Sequence, residues 1–154
     1  EVKIALYGIS MGGATVMKTA GEELPSNVCA AIEDCGYTSV WDEFEEQLKR
    51  KFRLPSFPLL NIASYICDKQ GGYNFKEASA QKQVARCDIP MMFIHGDADD
   101  FVPFEMLDKV YESASCEKQK LVIEGAGHAM SSSVAPELYW SEVEKFLDRH
   151  MNGI

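Results

Sequence analysis

A serine between two glycines lies near the start of the chain. Gly8-Ile9-Ser10-Met11-Gly12 has the spacing G-x-S-x-G, in which small residues allow a sharp strand-to-helix turn that exposes the serine hydroxyl. A Cβ at position 8 or 12 is expected to collide with that turn or with the following helix. A hydroxyl held in this way can attack a carbonyl carbon when a neighbouring base takes its proton. The spacing therefore indicates Ser10 as a candidate nucleophile for acyl transfer.

An acid and a base for that reaction follow later in the chain. Asp99 lies in the acidic loop of residues 95–103, and His128 follows two closely spaced glycines. Serine, acid and histidine thus occur in the chain order of one known arrangement of the catalytic triad. Asp97 and Asp100 stay open as alternatives for the acid, since either can equally form a turn or cap a helix.

The remaining two histidines are less suited to act as the base. His95 precedes its glycine inside an apolar run and is expected to be structural, and His150 lies in a charged helix and is expected to face solvent.

Four short apolar runs alternate with helical patterns, which is typical of a mainly parallel sheet with helices on both faces. The strands are predicted at residues 2–7, 28–32, 90–95 and 121–123. The helices outside the middle block are predicted at residues 10–20, 104–115 and 136–150. Residues 41–84 have an irregular helical pattern between two strands, and this predicts a small helical cap insertion.

Composition and charge restrict the class of protein. The formal net charge of −9 disfavours binding to nucleic acid, because an acidic surface repels phosphates. The densest acidic cluster, residues 42–46, is expected to be the solvated face of a helix. No apolar run approaches the roughly 20 residues that cross a bilayer. Five cysteines, an odd number without C-x-x-C spacing, indicate free thiols in a reducing compartment such as the cytoplasm, with neither a disulfide framework nor a metal site.

The strings IHGDADDFVP and GAGHA resemble those of the α/β-hydrolase superfamily, and they are most similar to its bacterial esterase-like branch. The resemblance extends from Val2 to about Phe146 and implies a partial α/β-hydrolase fold with about four strands. In that branch the acid is the aspartate of H-G-x-x-D-x-x-V-P, which here is Asp99. Some α/β-hydrolases take the acid from an earlier strand end, so Asp34 is the reserve candidate.

The resemblance implies a serine hydrolase that cleaves small carboxylic esters with Ser10, Asp99 and His128 and needs no cofactor. The backbone N–H of Met11 is expected to stabilise the oxyanion. A pocket beneath the cap is expected to be lined by Tyr37, Trp41, Phe57, Phe101 and Met130. Two alternatives stay open: a serine peptidase of the same superfamily and a non-catalytic binding module with this fold.

Complete members of this superfamily have several strands before the one that carries the nucleophile, whereas this chain begins at that strand. We therefore expect a fragment that lacks the N-terminal half of the fold. An unpaired apolar edge along residues 2–7 is then expected to associate with a second copy or with the missing half.

Overall fold

A computed structural model describes residues 2–152 of the chain. Its centre is one parallel sheet of four strands in the order β1-β2-β3-β4. The strands are β1 (Ile4–Ile9), β2 (Val28–Asp34), β3 (Met91–Gly96) and β4 (Lys118–Ile123). The fold class predicted from the sequence is therefore confirmed. β4 begins three residues earlier than predicted, because its polar first half, Lys118-Gln119-Lys120, carries no apolar signal on this outermost strand.

Seven helices connect and cover these strands in the described part of the chain. They are α1 (Met11–Ala20), α2 (Val40–Gln47), α3 (Leu59–Gly71), α4 (Ala80–Val84), α5 (Glu105–Ser113), α6 (Ser131–Val134) and α7 (Pro136–Leu147). π-helical turns extend α2 over Leu48–Phe52 and α7 over Asp148–Asn152. In the second turn the ring of His150 packs 4.7 Å from Phe146, so the expectation that His150 faces solvent is wrong.

Alternation along the strands gives the sheet two buried faces. Met91 and Phe93 of β3 pack with α1, α4 and α5, whereas Met92 and Ile94 pack with α7. Successive side chains of a strand point to opposite faces, so one continuous apolar run supplies both cores. Helices therefore cover both faces of the sheet, as the sequence predicted.

The segment between β2 and β3 contains α2, α3 and α4. α4 packs against α1 and places Val84 in the core with none of its surface exposed. It therefore belongs to the layer that covers the sheet, although the predicted cap insertion included it. α3 instead leaves apolar side chains exposed to solvent: Leu59, Ile62, Tyr65 and Ile66.

β1 forms one edge of the sheet and pairs only with β2 among residues 2–152. Ile4, Tyr7 and Ile9 are 37–43% exposed along this edge. All five cysteines are free thiols. Within the described residues, no helix combines the length and the apolar character that crossing a bilayer requires.

Candidate active site

The end of β1 presents Ser10 on a strained turn. Ser10 has φ 56° and ψ −117°, a conformation that residues with a Cβ rarely adopt, and α1 begins at the next residue, Met11. A Cβ on Gly8 would lie 2.2 Å from the carbonyl oxygen of Gly12. The first glycine of the motif is thus required by the close approach of the first turn of α1.

The second glycine of the motif, Gly12, has room for a side chain. A Cβ on Gly12 would meet nothing within 4 Å among the described residues, so the predicted collision at position 12 is wrong. Gly13 is the tighter position, since a Cβ there would lie 3.1 Å from the carbonyl oxygen of Asp34. The turn is therefore restricted at two positions: at Gly8, which lies against the backbone of Gly12, and at Gly13, the residue after the motif.

The loop after β3 buries Asp99 and fixes both of its carboxylate oxygens. Oδ1 accepts hydrogen bonds from the backbone N–H groups of Phe101 and Val102, both at 2.9 Å. Oδ2 lies 2.8 Å from Nδ1 of His128 and 3.2 Å from Nε2 of His95. Burial alone would raise the pKa of Asp99, but the hydrogen bonds from His95, His128 and Phe101 outweigh it and lower that pKa. Asp99 is therefore an anion that contacts two imidazoles.

The loop after β4 brings His128 between this anion and the serine. Nε2 of His128 lies 2.8 Å from Oγ of Ser10, opposite the Nδ1 that contacts Asp99. A carboxylate can only accept, so Nδ1 carries the proton and Nε2 of the neutral ring accepts from the serine hydroxyl. The ring of Phe101 packs 4.8 Å from the imidazole. This geometry allows the imidazole to take the proton of Ser10.

The other aspartates form different contacts. Asp34 is buried at the end of β2, where its carboxylate accepts from Ser131 Oγ at 3.1 Å and from Tyr139 OH at 3.0 Å. Asp97 accepts from the N–H of Gly125 at 2.6 Å. Asp100 contributes only its carbonyl oxygen, to Arg50. Asp99 is thus the one acid candidate whose carboxylate reaches His128.

His95 and Glu33 are two further buried polar residues that sequence reasoning did not assign to the site. His95 is fully buried on β3, and its Nε2 also lies 3.1 Å from the carbonyl oxygen of Val102. Glu33 is fully buried on β2 and accepts from the N–H of Gly36. Burial raises the pKa of Glu33 to about 8, although Gly36 and His95 act to lower it. The first letter of the H-G-x-x-D string was the available signal for His95.

Met11, whose backbone N–H was the expected oxyanion donor, is the first residue of α1. The first N–H groups of a helix have no intrahelical partner, and the first such bond here runs from Ala14 to the carbonyl oxygen of Ser10. The N–H of Met11 therefore lies outside the helix ladder and next to Ser10, at the positive end of the helix dipole.

A cavity of about 580 Å³ opens beside Ser10. Of the five residues expected at a substrate pocket, Tyr37 and Phe101 line this cavity, whereas Trp41, Phe57 and Met130 do not. Trp41 packs under Lys76, whose Nζ lies 4.4 Å from the centroid of the Trp41 ring. Phe57 and Met130 are exposed at 72% and 47%. The lining residues that the sequence did not predict are Val40, Glu43, Phe44, Gln47, Cys67, Tyr73 and Phe75.

The acidic cluster at residues 42–46, which was expected to be a solvated helix face, contains one buried residue. Glu43 is only 6% exposed, because its face of α2 is turned toward the cavity. Val40, Glu43 and Gln47 recur at three- and four-residue spacing, which places them on one helical face. That spacing could have indicated that Glu43 faces the cavity, but the acidic residues beside it made the whole segment resemble a solvated helix face.

One group of side chains in the described part of the chain has donor atoms close enough to hold a metal ion: Cys35, Asp99 and His128, within 4.8 Å of one another. Asp99 and His128 are already joined by a hydrogen bond. Burial raises the pKa of the Cys35 thiol to about 12, which disfavours the thiolate that a metal requires. The geometry thus favours hydrogen bonding over metal ligation at this position.

Comparison with known proteins gives one family and several structural relatives. Residues 1–153 match the sequence model of the prolyl oligopeptidase family. The chain is 32% identical over 145 residues to the uncharacterized protein YqkD of Bacillus subtilis, which covers 94% of this chain and 48% of YqkD. The chain thus spans about half the length of the curated relatives it matches.

Two solved structures share the fold at low sequence identity. The esterase Pf2001 of Pyrococcus furiosus superposes with a TM-score of 0.71 at 22% identity, over 97% of this chain and 55% of the esterase. An acylaminoacyl peptidase of Pyrococcus horikoshii superposes with a TM-score of 0.74 at 16% identity, over 97% of this chain and 24% of the peptidase. The likeness shows that the chain shares the fold of these two enzymes.

Proposed function

The chain belongs to the prolyl oligopeptidase family, and we propose that it cleaves carboxylic esters through an acyl-enzyme formed on Ser10. The observation that carries the proposal is the continuous hydrogen-bonded path from Ser10 Oγ through His128 to Asp99 Oδ2, with both contacts at 2.8 Å. In this proposal Ser10 is the nucleophile, His128 is the general base and Asp99 orients the imidazole.

The first half of the proposed reaction forms the acyl-enzyme. Nε2 of His128 takes the hydroxyl proton as Ser10 Oγ attacks the ester carbonyl carbon, and Asp99 stabilises the imidazolium that results. The Met11 N–H donates to the oxyanion, a contact typically worth about 3 kcal/mol of transition-state stabilisation. The imidazolium then gives its proton to the departing alkoxide, and the carbonyl is restored as the acyl-serine.

The second half repeats these steps with water. His128 takes a proton from a water molecule that attacks the acyl-serine, and it returns that proton to Ser10 Oγ as the carboxylic acid leaves. Every proton moves between an oxygen and Nε2 of His128. The chemistry proposed here therefore needs no group beyond those three side chains, a backbone donor and water.

The cavity beside Ser10 is proposed to hold the acyl part of the substrate. Val40, Phe44, Phe75 and Phe101 give it a largely apolar lining, which suits a small hydrophobic acyl group. α2 and α3, together with the segment between them, are proposed to act as the cap over this cavity. The expected dimerisation along β1 likewise remains a proposal, supported by the exposed side chains of that edge.

Peptide hydrolysis is the second candidate function. It uses the same three residues, and the family match together with the likeness to an acylaminoacyl peptidase favours it. A non-catalytic binding module is the third, and the hydrogen-bonded path at Ser10 argues against it, since a binding module has no need for a positioned base.

The test is fluorophosphonate labelling of the complete gene product, with intact mass as the readout and Ser10→Ala as the control. Labelling of the natural protein but not of the variant is expected. Parallel assays with ester and peptide substrates of the same acyl group then separate the first two candidates. A folded protein that takes no label would favour the binding module.

A further inference from the structure

Two polar side chains interrupt the apolar wall of the cavity at Ser10. Glu43 and Gln47 lie one helical turn apart on α2, and both line the cavity together with Ser10. Glu43 has no part in the proposed acyl transfer, although only 6% of its surface is exposed. A buried carboxyl that the reaction does not use requires another explanation.

The hydrogen bonds of Gln47 fix which atoms remain unpaired. Nε2 of Gln47 donates to Glu43 Oε1 and to the carbonyl oxygen of Phe101, both at 2.8 Å. Both hydrogens of the amide are thus used, and its orientation is set by two acceptors. Oε1 of Gln47 and Oε2 of Glu43 are then left buried and without a hydrogen-bond partner among residues 2–152.

The nearby cations do not satisfy these oxygens. Arg50 pairs with Glu46 and donates to the carbonyl oxygen of Asp100. Nζ of Lys51 lies over the ring of Phe101, 4.3 Å from its centroid. Two residues that line the cavity therefore carry buried acceptors that no group in the described part of the chain satisfies, and one of these acceptors belongs to a carboxyl group.

Unpaired acceptors in an apolar wall call for a ligand that donates hydrogen bonds. A primary ammonium group has three N–H donors and a positive charge, so it can pair with both oxygens and compensate the buried carboxylate. Burial raises the pKa of Glu43, and a bound cation would favour its ionised form again. The net charge of −9 also favours the approach of cationic ligands.

We infer that Glu43 and Gln47 form a subsite for a free primary ammonium group, so that the substrates are esters or peptides of amino acids with an unblocked amine. The inference rests on the proposed function, since it assigns the acyl group that Ser10 would accept. The aromatic side chains of the cavity would hold the apolar part of that amino acid, with Gln47 keeping Glu43 in position.

The first test compares four ethyl esters that share one carbon skeleton: phenylalanine, N-acetylphenylalanine, 3-phenylpropionate and 3-phenyllactate. The complete gene product is expected to prefer the phenylalanine ester over 3-phenylpropionate by tenfold or more in kcat/KM, mainly through KM. Glu43→Gln is expected to reduce that ratio at least tenfold. Glu45→Gln, a matched change at an exposed position of α2, is expected to leave the ratio unchanged.

Two results of this comparison would overturn the inference. A ratio that Glu43→Gln does not change would remove Glu43 from recognition. Equal preference for 3-phenyllactate and phenylalanine would show that a neutral donor is sufficient, because these two esters differ only in the hydroxyl and the amine.

A binding measurement keeps the subsite testable if no ester is cleaved. Calorimetric titration of the Ser10→Ala protein with phenylalaninamide is expected to show binding that weakens at least tenfold when Glu43→Gln is added. Equal affinity with and without Glu43→Gln, or no binding to either protein, would overturn the subsite. Binding that depends on Glu43 in a protein that cleaves no ester would support the subsite and count against the proposed function alone.

Discussion

The imidazole of His95 lies 3.2 Å from Oδ2 of Asp99, the same oxygen that contacts Nδ1 of His128 at 2.8 Å. One carboxylate oxygen therefore links a fully buried imidazole to the imidazole beside Ser10. Nε2 of His95 also lies 3.1 Å from the carbonyl oxygen of Val102, which can only accept, so this nitrogen carries a proton. That N–H donates to Val102, and the imidazole also lies against Asp99 Oδ2, so His95 helps to hold the carboxylate that contacts His128.

Replacing His95 is expected to affect the proposed reaction through Asp99. His95→Gln should lower kcat/KM by about tenfold or more, since a positioned partner of this kind is typically worth 10–100-fold in activity. With this partner lost, the carboxylate of Asp99 is held less firmly and orients the imidazole of His128 less well in the proposed reaction. The loss should fall mainly on kcat rather than on KM, because His95 does not line the cavity beside Ser10.

The division of the loss between kcat and KM separates positioning from simple loss of structure. A variant in which KM changes as much as kcat would indicate that His95 only supports packing. Thermal unfolding of His95→Gln, compared with that of the natural protein, checks that the variant is folded under the assay conditions.

Glu33 gives a prediction for stability against pH. Burial is the largest cause that raises its pKa, from 4.5 to about 8, so the folded protein keeps this proton where the unfolded chain loses it. Unfolding then releases a proton between these two values. The free energy of unfolding should fall as pH rises from about 4.5 to 8, by up to ~1.4 kcal/mol per pH unit.

Glu33→Gln removes this proton release while keeping an acceptor for the N–H of Gly36. Urea unfolding at several pH values should show a smaller fall in stability for the variant across the same range. The comparison must be made between the two proteins, because the raised pKa of His95 contributes a fall in the same direction above its ordinary value. Parallel curves for the two proteins would contradict a buried neutral Glu33.

The sequence predicted the sheet and the grouping of Ser10, Asp99 and His128 because both depend on local signals. Apolar runs mark the buried strands, and each of the three residues follows one of these runs. Because the strands are parallel, their carboxyl ends lie at the same end of the sheet, and the three residues meet there. Its predictions were least accurate where a residue's surroundings come from distant segments. Trp41 and Phe57 are aromatic and lie in the predicted cap, but Trp41 packs under Lys76 and Phe57 extends into solvent, so neither lines the cavity.

Glu43 is another residue whose surroundings the sequence did not predict, since it was expected to be exposed and is buried. Four acidic side chains in five residues suggest a solvated helix face, and composition alone does not distinguish the one that is buried. Its contacts with Gln47 and the cavity depend on how α2 lies over Ser10 and on the position of the Phe101 carbonyl, 54 residues further along than Gln47. A short element such as α6 was missed for a related reason, since four residues carry no helical period.

The two glycines of the G-x-S-x-G motif should respond differently to alanine. Gly8→Ala places a Cβ 2.2 Å from the carbonyl oxygen of Gly12, and backbone rather than a flexible side chain must move. The free energy of unfolding, measured in urea, should fall by at least ~3 kcal/mol, the upper end of the range that is typical of overpacking. Fluorophosphonate labelling should be lost as well.

Gly12→Ala is the matched control on the same turn. Its Cβ meets open space in the described structure, and alanine in a helix is favoured over glycine by roughly 0.5–1 kcal/mol. We therefore expect a small gain in stability and retained labelling. Similar losses for both variants would indicate that the turn is constrained by something other than the contact between positions 8 and 12.

The exposed edge of β1 predicts self-association of this chain. Its unpaired backbone groups can pair with a strand of a second copy, and Ile4 is 41% exposed beside them. Ile4→Lys places a charge on that edge, which is a common way in which natural edge strands avoid pairing. Sedimentation should show dimers or larger species for the unmodified chain and a shift toward monomer for the variant. Leu138→Lys, at a comparably exposed site on α7, should leave the distribution unchanged, and a monodisperse monomer of the unmodified chain would contradict the prediction.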